Sequence, residues 1–332
     1  MSGRRSGWSV PPRPSLAQSP RNSTARVIPL DAPSRRWYRP SRCWFPPGSY
    51  PWLGHRPGRP PRFLTTWGRA QFPTSYRVTD IHGFPYIVVN GTQPKKAVSF
   101  VYADESDGVD HSTKKSFPFY PIPDEAAVLP HWIEGGGPGN DLRRTGDRHM
   151  IIVDRDNRLL YELFEASFDG TQWKAGSGAF FDLKTNRSRP NGWTSADAAG
   201  LAILPDLVRY DEVFGPGEIR HAFRVTVRAT KGYVYPASHG VGSNPRGLPM
   251  GARLRVKSER DISGFRPEQQ KIFRALKRFG LIVADNGTDI YISGTYDTRW
   301  NNNLLNPAFA VLTADDFEVI ELGFRPPARQ PN

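Results

Sequence analysis

Short apolar runs separated by Gly, Pro and Asn-Gly or Asp-Gly breaks recur along most of the chain, a spacing that predicts strands far more than helices. Residues 84–89 (FPYIVV), closed by Asn90-Gly91, predict a strand and a tight turn, and residues 97–102 a second strand. Residues 149–154, 159–168 and 173–183 are apolar runs joined by short turns, the pattern of an antiparallel meander. Within it Leu160, Glu162 and Phe164 share one side of the alternation, so polarity does not set the register. Thr194 and Asp197 have capping-box spacing, and a helix is expected from there to the break at Pro205. Residues 217–228 alternate and place Ile219, His221, Phe223, Val225 and Val227 on one face. Further short strands are expected at 232–237 and 252–256. Ile272, Leu276 and Phe279 form the apolar stripe of a helix over 267–279, ended by Gly280. A hairpin of 281–284 and 290–293 about Asn286-Gly287 follows. Together these predict a mostly β chain: an antiparallel β-sandwich or jelly-roll-like domain with one or two short helices.

The pattern starts only after about residue 70. Residues 1–63 hold 13 of the 32 prolines, 12 arginines, no lysine and one acid, Asp31. Such a segment buries too little apolar surface to fold. The expected organisation is therefore a disordered Arg/Pro-rich tail over 1–70, one β-rich domain over 71–325 and a flexible C-terminus over 326–332. The composition of the tail is equally that of GC-rich DNA read from a start placed too early. Residues 1–63 carry +11 of the formal +13, leaving 33 basic and 31 acidic residues elsewhere. No net field then draws the domain to nucleic acid, and no specific binding to it is expected. The single cysteine, Cys43, lies in the tail, which excludes a disulfide, a thiolate metal site or a cysteine nucleophile from the domain. No apolar run is long enough to predict a membrane span, and no signal-peptide core follows Met1.

A set of segments carries a resemblance: 93–95 (QPK), 102–106 (YADES), 148–154 (RHMIIVD), 192–201 (GWTSADAAGL), 209–213 (RYDEV), 220–222 (RHA), 249–251 (PMG) and 284–287 (ADNG). In these the chain resembles a group of uncharacterised, exported bacterial proteins. The resemblance covers nearly all of the domain and none of the tail. It implies an extracellular or periplasmic location and brings no activity with it.

Three chemistries are open. His149, His221 and His239 lie in or at the ends of strands, and three imidazoles form the donor set for zinc, copper or iron in a mononuclear metalloenzyme. None are spaced as a local metal motif, so the fold would have to bring them together. The second is glycosidic-bond hydrolysis, which needs two carboxyls across a cleft. Asp197 and Asp285 are the candidates, with Trp193, Tyr210, Tyr235 and Trp300 as sugar-binding platforms. Against this, Asp197 is explained by the cap and Asp285 by Asp-Asn-Gly turn chemistry. The third is a polysaccharide lyase, with His221 or His239 as base, Tyr210 or Tyr235 as acid, and Arg220 or Arg224 neutralising a uronate. The acidic loop 104–110 offers oxygen ligands to calcium but lacks the helix-loop-helix spacing, so a solvated turn is the expectation. Glycines 135–137 and 139 lack the Lys-Ser/Thr of a phosphate loop. The resulting expectation is an exported carbohydrate-active protein whose partner is polysaccharide, catalytic through Asp197, Asp285, His221 and His239. The alternatives are a non-catalytic carbohydrate-binding surface protein and the histidine metalloenzyme.

Overall fold

The computed structural model describes residues 83–129, 131–135, 146–320 and 322. The expected tail, the start of the domain at 71, the glycines beyond Gly135 and the C-terminus from 326 lie outside the described residues.

The described chain is mostly β, built on two main sheets. The first is formed by β1 (Tyr86–Val89), β2 (Met150–Asp154), β3 (Leu159–Phe164) and β4 (Ser177–Asp182), side by side in that order. The expected meander is present as β2-β3-β4, antiparallel throughout, while β1 joins parallel to β2. Both faces are covered. Ile87, Met150, Ile152, Tyr161 and Leu163 pack on one side, and Ile151 and Leu160 pack with Phe84, Ala196, Ile203 and Leu207 on the other. Double burial is why the β3 sequence does not alternate in polarity.

The second sheet contains β5 (Phe223–Val227), β6 (Arg253–Val256), β7 (Leu281–Asn286), β8 (Tyr291–Ile292) and β9 (Phe317–Val319), in the spatial order β8-β5-β7-β6-β9. Phe223, Val225 and Val227 alternate into a core closed by Ile272, Phe273 and Leu276 of α2 (Pro267–Arg278). The expected 281–293 hairpin does not form. Its two halves flank β5 instead, β7 parallel to it and β8 antiparallel. An Asn-Gly turn encodes a reversal of the chain but not the partner of the returning strand.

Two local departures position the site. The β5–β7 ladder slips between Val225 and Thr226, so Val225 faces Val283 but Thr226 faces Asp285. Leu281 and Val283 point into the core, and without the slip Asp285 would follow them. The extra residue, Ala284, turns Asp285 to the face carrying Arg224, as bulges beside functional sites do. The second departure is at 194–203, where the expected helix is absent. The Thr194 hydroxyl bonds the Ser195 and Asp197 carbonyls, and the Asp197 carboxylate leaves the backbone for Arg224. A buried guanidinium outbids a cap, because leaving it unpaired costs several kcal/mol against about 1 for the cap. A single 3-10 turn follows at Leu204–Asp206, and the next α-helix is α1 (Tyr210–Phe214).

Candidate active site

Arg224 on β5 is the centre of a buried polar cluster between the two sheets. Its Nη2 donates to Asp197 Oδ1 at 2.9 Å, its Nε faces Asp197 Oδ2 at 3.4 Å, and its Nη1 donates to Ser293 Oγ at 2.8 Å. Asp285 Oδ2 lies 3.8 Å from the same Nη2. Arg224 and Asp197 are 3% and 1% exposed, whereas the Asp285 side chain is 25% exposed. The two carboxyls singled out from sequence therefore meet at one guanidinium nitrogen, but only Asp285 reaches solvent. Desolvation, then the nearby Asp197 charge, pushes the Asp285 carboxyl up to about 6, only partly opposed by Arg224. Asn286 N–H donates to its Oδ1 at 2.7 Å.

A second carboxyl, Glu134, was not singled out from sequence. Trp132 and Ile133 are buried in the core, and the Glu134 amide donates to the His149 carbonyl at 2.9 Å, which fixes the segment on β2. The Glu134 side chain, 21% exposed, meets His149 Nδ1 at 2.5 Å. His149 Nε2 faces the Ala196 carbonyl at 3.0 Å. Two acceptors at the two ring nitrogens require both to carry protons, so His149 is an imidazolium. Burial opposes that charge, and the Glu134 carboxylate outweighs it, leaving the His149 pKa raised. Conversely, burial raises Glu134, and the charge and hydrogen bond of His149 more than reverse it, so its pKa is lowered. Arg224 feels both Asp285 and Glu134. The Tyr291 hydroxyl is pushed up to about 12 by burial, and then by Glu134.

The backbone is strained around these groups. His131, Arg148 and Ile290, at φ 61°, 51° and 50°, each lie within three residues of Glu134, His149 or Tyr291. For a β-branched residue such as Ile290 this region is a true outlier, and such strain collects at functional sites.

His239 flanks the cluster. The Ala199 amide donates to Ala284 O at 2.9 Å, and its carbonyl accepts from the Ser238 and His239 amides at 3.0 and 3.2 Å. Residue 199 thus bridges the strand of Asp285 and the segment of His239. His239 Nδ1 donates to Ala198 O at 2.8 Å.

His221 belongs to a different cluster. Its Nε2 lies 3.0 Å from both Glu212 Oε2 and Arg209 Nη2, and its Nδ1 bonds the Ala222 carbonyl at 2.7 Å. Burial raises Glu212, but Arg209 and His221 hold it down at about 2. The expected metal centre is therefore corrected. Both ring nitrogens of His149 and of His221 are engaged by protein groups, and among the described residues no three His, Cys, Asp or Glu side chains are grouped to hold a metal ion.

The aromatic candidates separate as well. Tyr210 and Trp300 meet edge-on at 5.2 Å, with Phe214 stacked on Tyr210 at 4.4 Å and Arg299 4.1 Å from its centroid. Trp193 lies instead between His111 at 5.0 Å and Arg189 at 5.4 Å. Tyr235 is half-buried in the turn 234–237. Of the lyase candidates, Arg224 is committed to Asp197 and His221 to Glu212. In the acidic loop, Asp104 pairs with Lys114, Asp107 with Arg189, and Asp110 with Ser112 and Thr113, while Glu105 accepts the Thr194 amide. Each of these four carboxylates has a protein donor on at least one oxygen.

The sequence signal that could have found Glu134 is modest: an acid directly after the apolar pair Trp132-Ile133 and before a glycine run. Comparison with known protein families, with curated proteins and with solved structures finds no match for this chain.

Proposed function

We propose that the domain hydrolyses glycosidic bonds in polysaccharide, with Asp285 as general acid and Glu134 as general base. The observation that supports this best is two partly exposed carboxyls in opposite electrostatic settings, Asp285 3.8 Å from the buried Arg224 guanidinium and Glu134 on the His149 ring. Environments that push paired carboxyls apart in this way assign the acid and the base. Asp285, held protonated up to about pH 6, gives its proton to the glycosidic oxygen as the bond to the anomeric carbon breaks. Glu134, kept ionised by the His149 imidazolium, takes a proton from the water whose oxygen forms the new bond to that carbon. Asp197 touches no solvent; it orients Arg224 and is a positioning residue. A location outside the cytoplasm, implied by the resemblance, suits a polymeric substrate. No helix of the described residues is long and apolar enough to cross a membrane.

The test is product release and retention on a panel of plant, fungal and bacterial polysaccharides. Wild-type release should fall as pH rises through about 6, where Asp285 loses its proton. Asp285→Asn and Glu134→Gln should each lower kcat by about a hundredfold or more, with KM changed little. Retention without release would favour the non-catalytic carbohydrate-binding alternative. Neither retention nor release on any polymer would end the carbohydrate reading.

A further inference from the structure

The register of the second sheet sets a tyrosine across from Asp285. On β5, Thr226 is paired with Asp285 of β7 on one side and with Tyr291 of β8 on the other. Paired residues of neighbouring strands carry their side chains on one face, so the three stand side by side there. Arg224 and Ser293, two residues further in, share that face, and the Arg224 Nη1 bond to Ser293 Oγ at 2.8 Å closes its inner end. The two faces differ in burial. Val225, Val227, Val283 and Ile292 on the other face are sealed in the core, whereas Thr226, Asp285 and Tyr291 are all half-buried. A polar row thus runs from Asp285 to Tyr291 at the solvent edge of the cluster, its ends two strand spacings, about 10 Å, apart.

The strain at Ile290 brings Tyr291 into this row. The connection from β7 crosses the end of β5, where the Thr288 carbonyl accepts from Thr226 Oγ1 at 2.8 Å, and then enters β8. Ile290, at φ 50°, is fully buried in the core of the second sheet, so the next side chain turns to the polar face. Among the described residues no group bonds the Tyr291 hydroxyl that arrives there. Burial, and then the Glu134 charge, keep its proton on up to about 12, against Arg224. The phenol is therefore a neutral donor at every pH at which Asp285 is an acid. Its hydroxyl adds nothing to the packing that a phenylalanine would not supply.

We propose that Tyr291 is a substrate-binding residue of this site, its hydroxyl donating to a hydroxyl of the sugar that lies along the row with its glycosidic oxygen at Asp285. Held at both ends, the sugar cannot slide past the carboxyl that protonates it. This rests on the carbohydrate reading above and adds the residue that orients the substrate.

The experiment compares Tyr291→Phe with wild type in the full chain, by thermal midpoint and by kinetics on the plant, fungal and bacterial polysaccharides of the panel. The midpoint should hold or rise slightly, since no protein hydrogen bond is lost. On the polymer that wild type cleaves, KM should rise about tenfold with kcat kept within about threefold. That reverses the pattern expected for Asp285→Asn and Glu134→Gln. The fall in release through about pH 6 should persist, because Asp285 is untouched. For a polymer retained without release, the same tenfold is read in its dissociation constant. A midpoint several degrees lower would show that the hydroxyl has a structural partner. An unchanged KM or dissociation constant in the folded variant would show that it meets no substrate. Either result overturns the assignment and leaves the carbohydrate reading in place. A wild-type chain that neither retains nor cleaves any polymer removes both.

Discussion

The molecule contains two buried clusters made of the same three residue types, an arginine, carboxylates and a histidine, and they are put to opposite uses. In the Arg209–Glu212–His221 cluster the Glu212 carboxylate is shared between Arg209 and His221, and Lys271 reaches over from α2 to bond the Glu212 and Gly215 carbonyls at 3.1 and 2.5 Å. Its backbone carries no positive-φ strain at these positions, and the acid shared by Arg209 and His221 is held down at about 2. It fastens α1 to α2 and to the start of β5. In the Arg224 cluster there are more acids than cations can neutralise. One acid is driven up and another down, two reach solvent, and the flanking backbone is strained. Ionisable groups balanced against each other make a joint; groups left unbalanced at a solvent edge make chemistry available.

The sharpest way to break this comparison is to remove each arginine. Arg224→Met leaves Asp197, 1% exposed, as an uncompensated buried charge, and should destabilise by about 3–5 kcal/mol. Arg209→Met leaves Glu212 29% exposed and still bonded to His221, and should cost about 1–2 kcal/mol. In the double variant Arg224→Met, Asp197→Leu both charges are gone, and much of the loss should return. Urea unfolding of the three proteins measures it. Equal losses for the two single variants would mean the clusters do not differ in the way their geometry suggests.

How much of this was legible in the sequence depended on whether a feature is periodic. The alternation of Phe223, Val225 and Val227 and the stripe of α2 were readable because each position repeats the preference of its neighbours. Asp197 and Asp285 stood out as polar breaks between apolar runs, although ordinary cap and turn chemistry seemed to explain both. What overturned those explanations is a single long-range contact with Arg224, which lies 27 residues from Asp197. No local window contains that information. The bulge at Ala284 was illegible for the same reason, since it exists only relative to the register of β5. Glu134 was missed because its role comes from a strained turn whose cause, the burial of Trp132 and Ile133, is tertiary.

Glu162 sharpens the comparison from a third position. It is fully buried on β3 and accepts only backbone amides, Ile203 N–H at 2.9–3.0 Å and Leu204 N–H at 2.9 Å, among its hydrogen bonds. Desolvation pushes its carboxyl up to about 7, against the lowering effect of those amides. A folded pKa above the unfolded one means stability that is fully present below about 4.5 and is lost as pH rises through about 7. Glu162→Gln keeps an acceptor for the amides and removes the titration. Unfolding in urea should therefore show the variant equal to wild type near pH 5 and more stable at pH 8 by about 2–3 kcal/mol. A variant less stable at both pH values would mean that the ionised form is the one the fold requires.

The smallest expected effect bears most directly on function. Asp285 has a folded pKa of about 6, above its ordinary 3.8, so its contribution to stability is likewise present at low pH and lost as pH rises through about 6. Because its side chain is a quarter exposed and Asn286 N–H still bonds it, the loss should be about 1–2 kcal/mol rather than the full linkage value. Asp285→Asn should then raise the unfolding midpoint at pH 8 and change it little at pH 4, while removing any glycan cleavage. Gain of stability together with loss of activity is the signature of a group kept for chemistry at the expense of the fold. The acid of the other cluster should behave oppositely. Glu212 is held at about 2, so its stabilisation is present at neutral pH and Glu212→Gln should lower the midpoint there. Should Asp285→Asn lower the midpoint at pH 8 in the same way, Asp285 is a structural ion-pair partner of Arg224, and the contrast between the two clusters collapses.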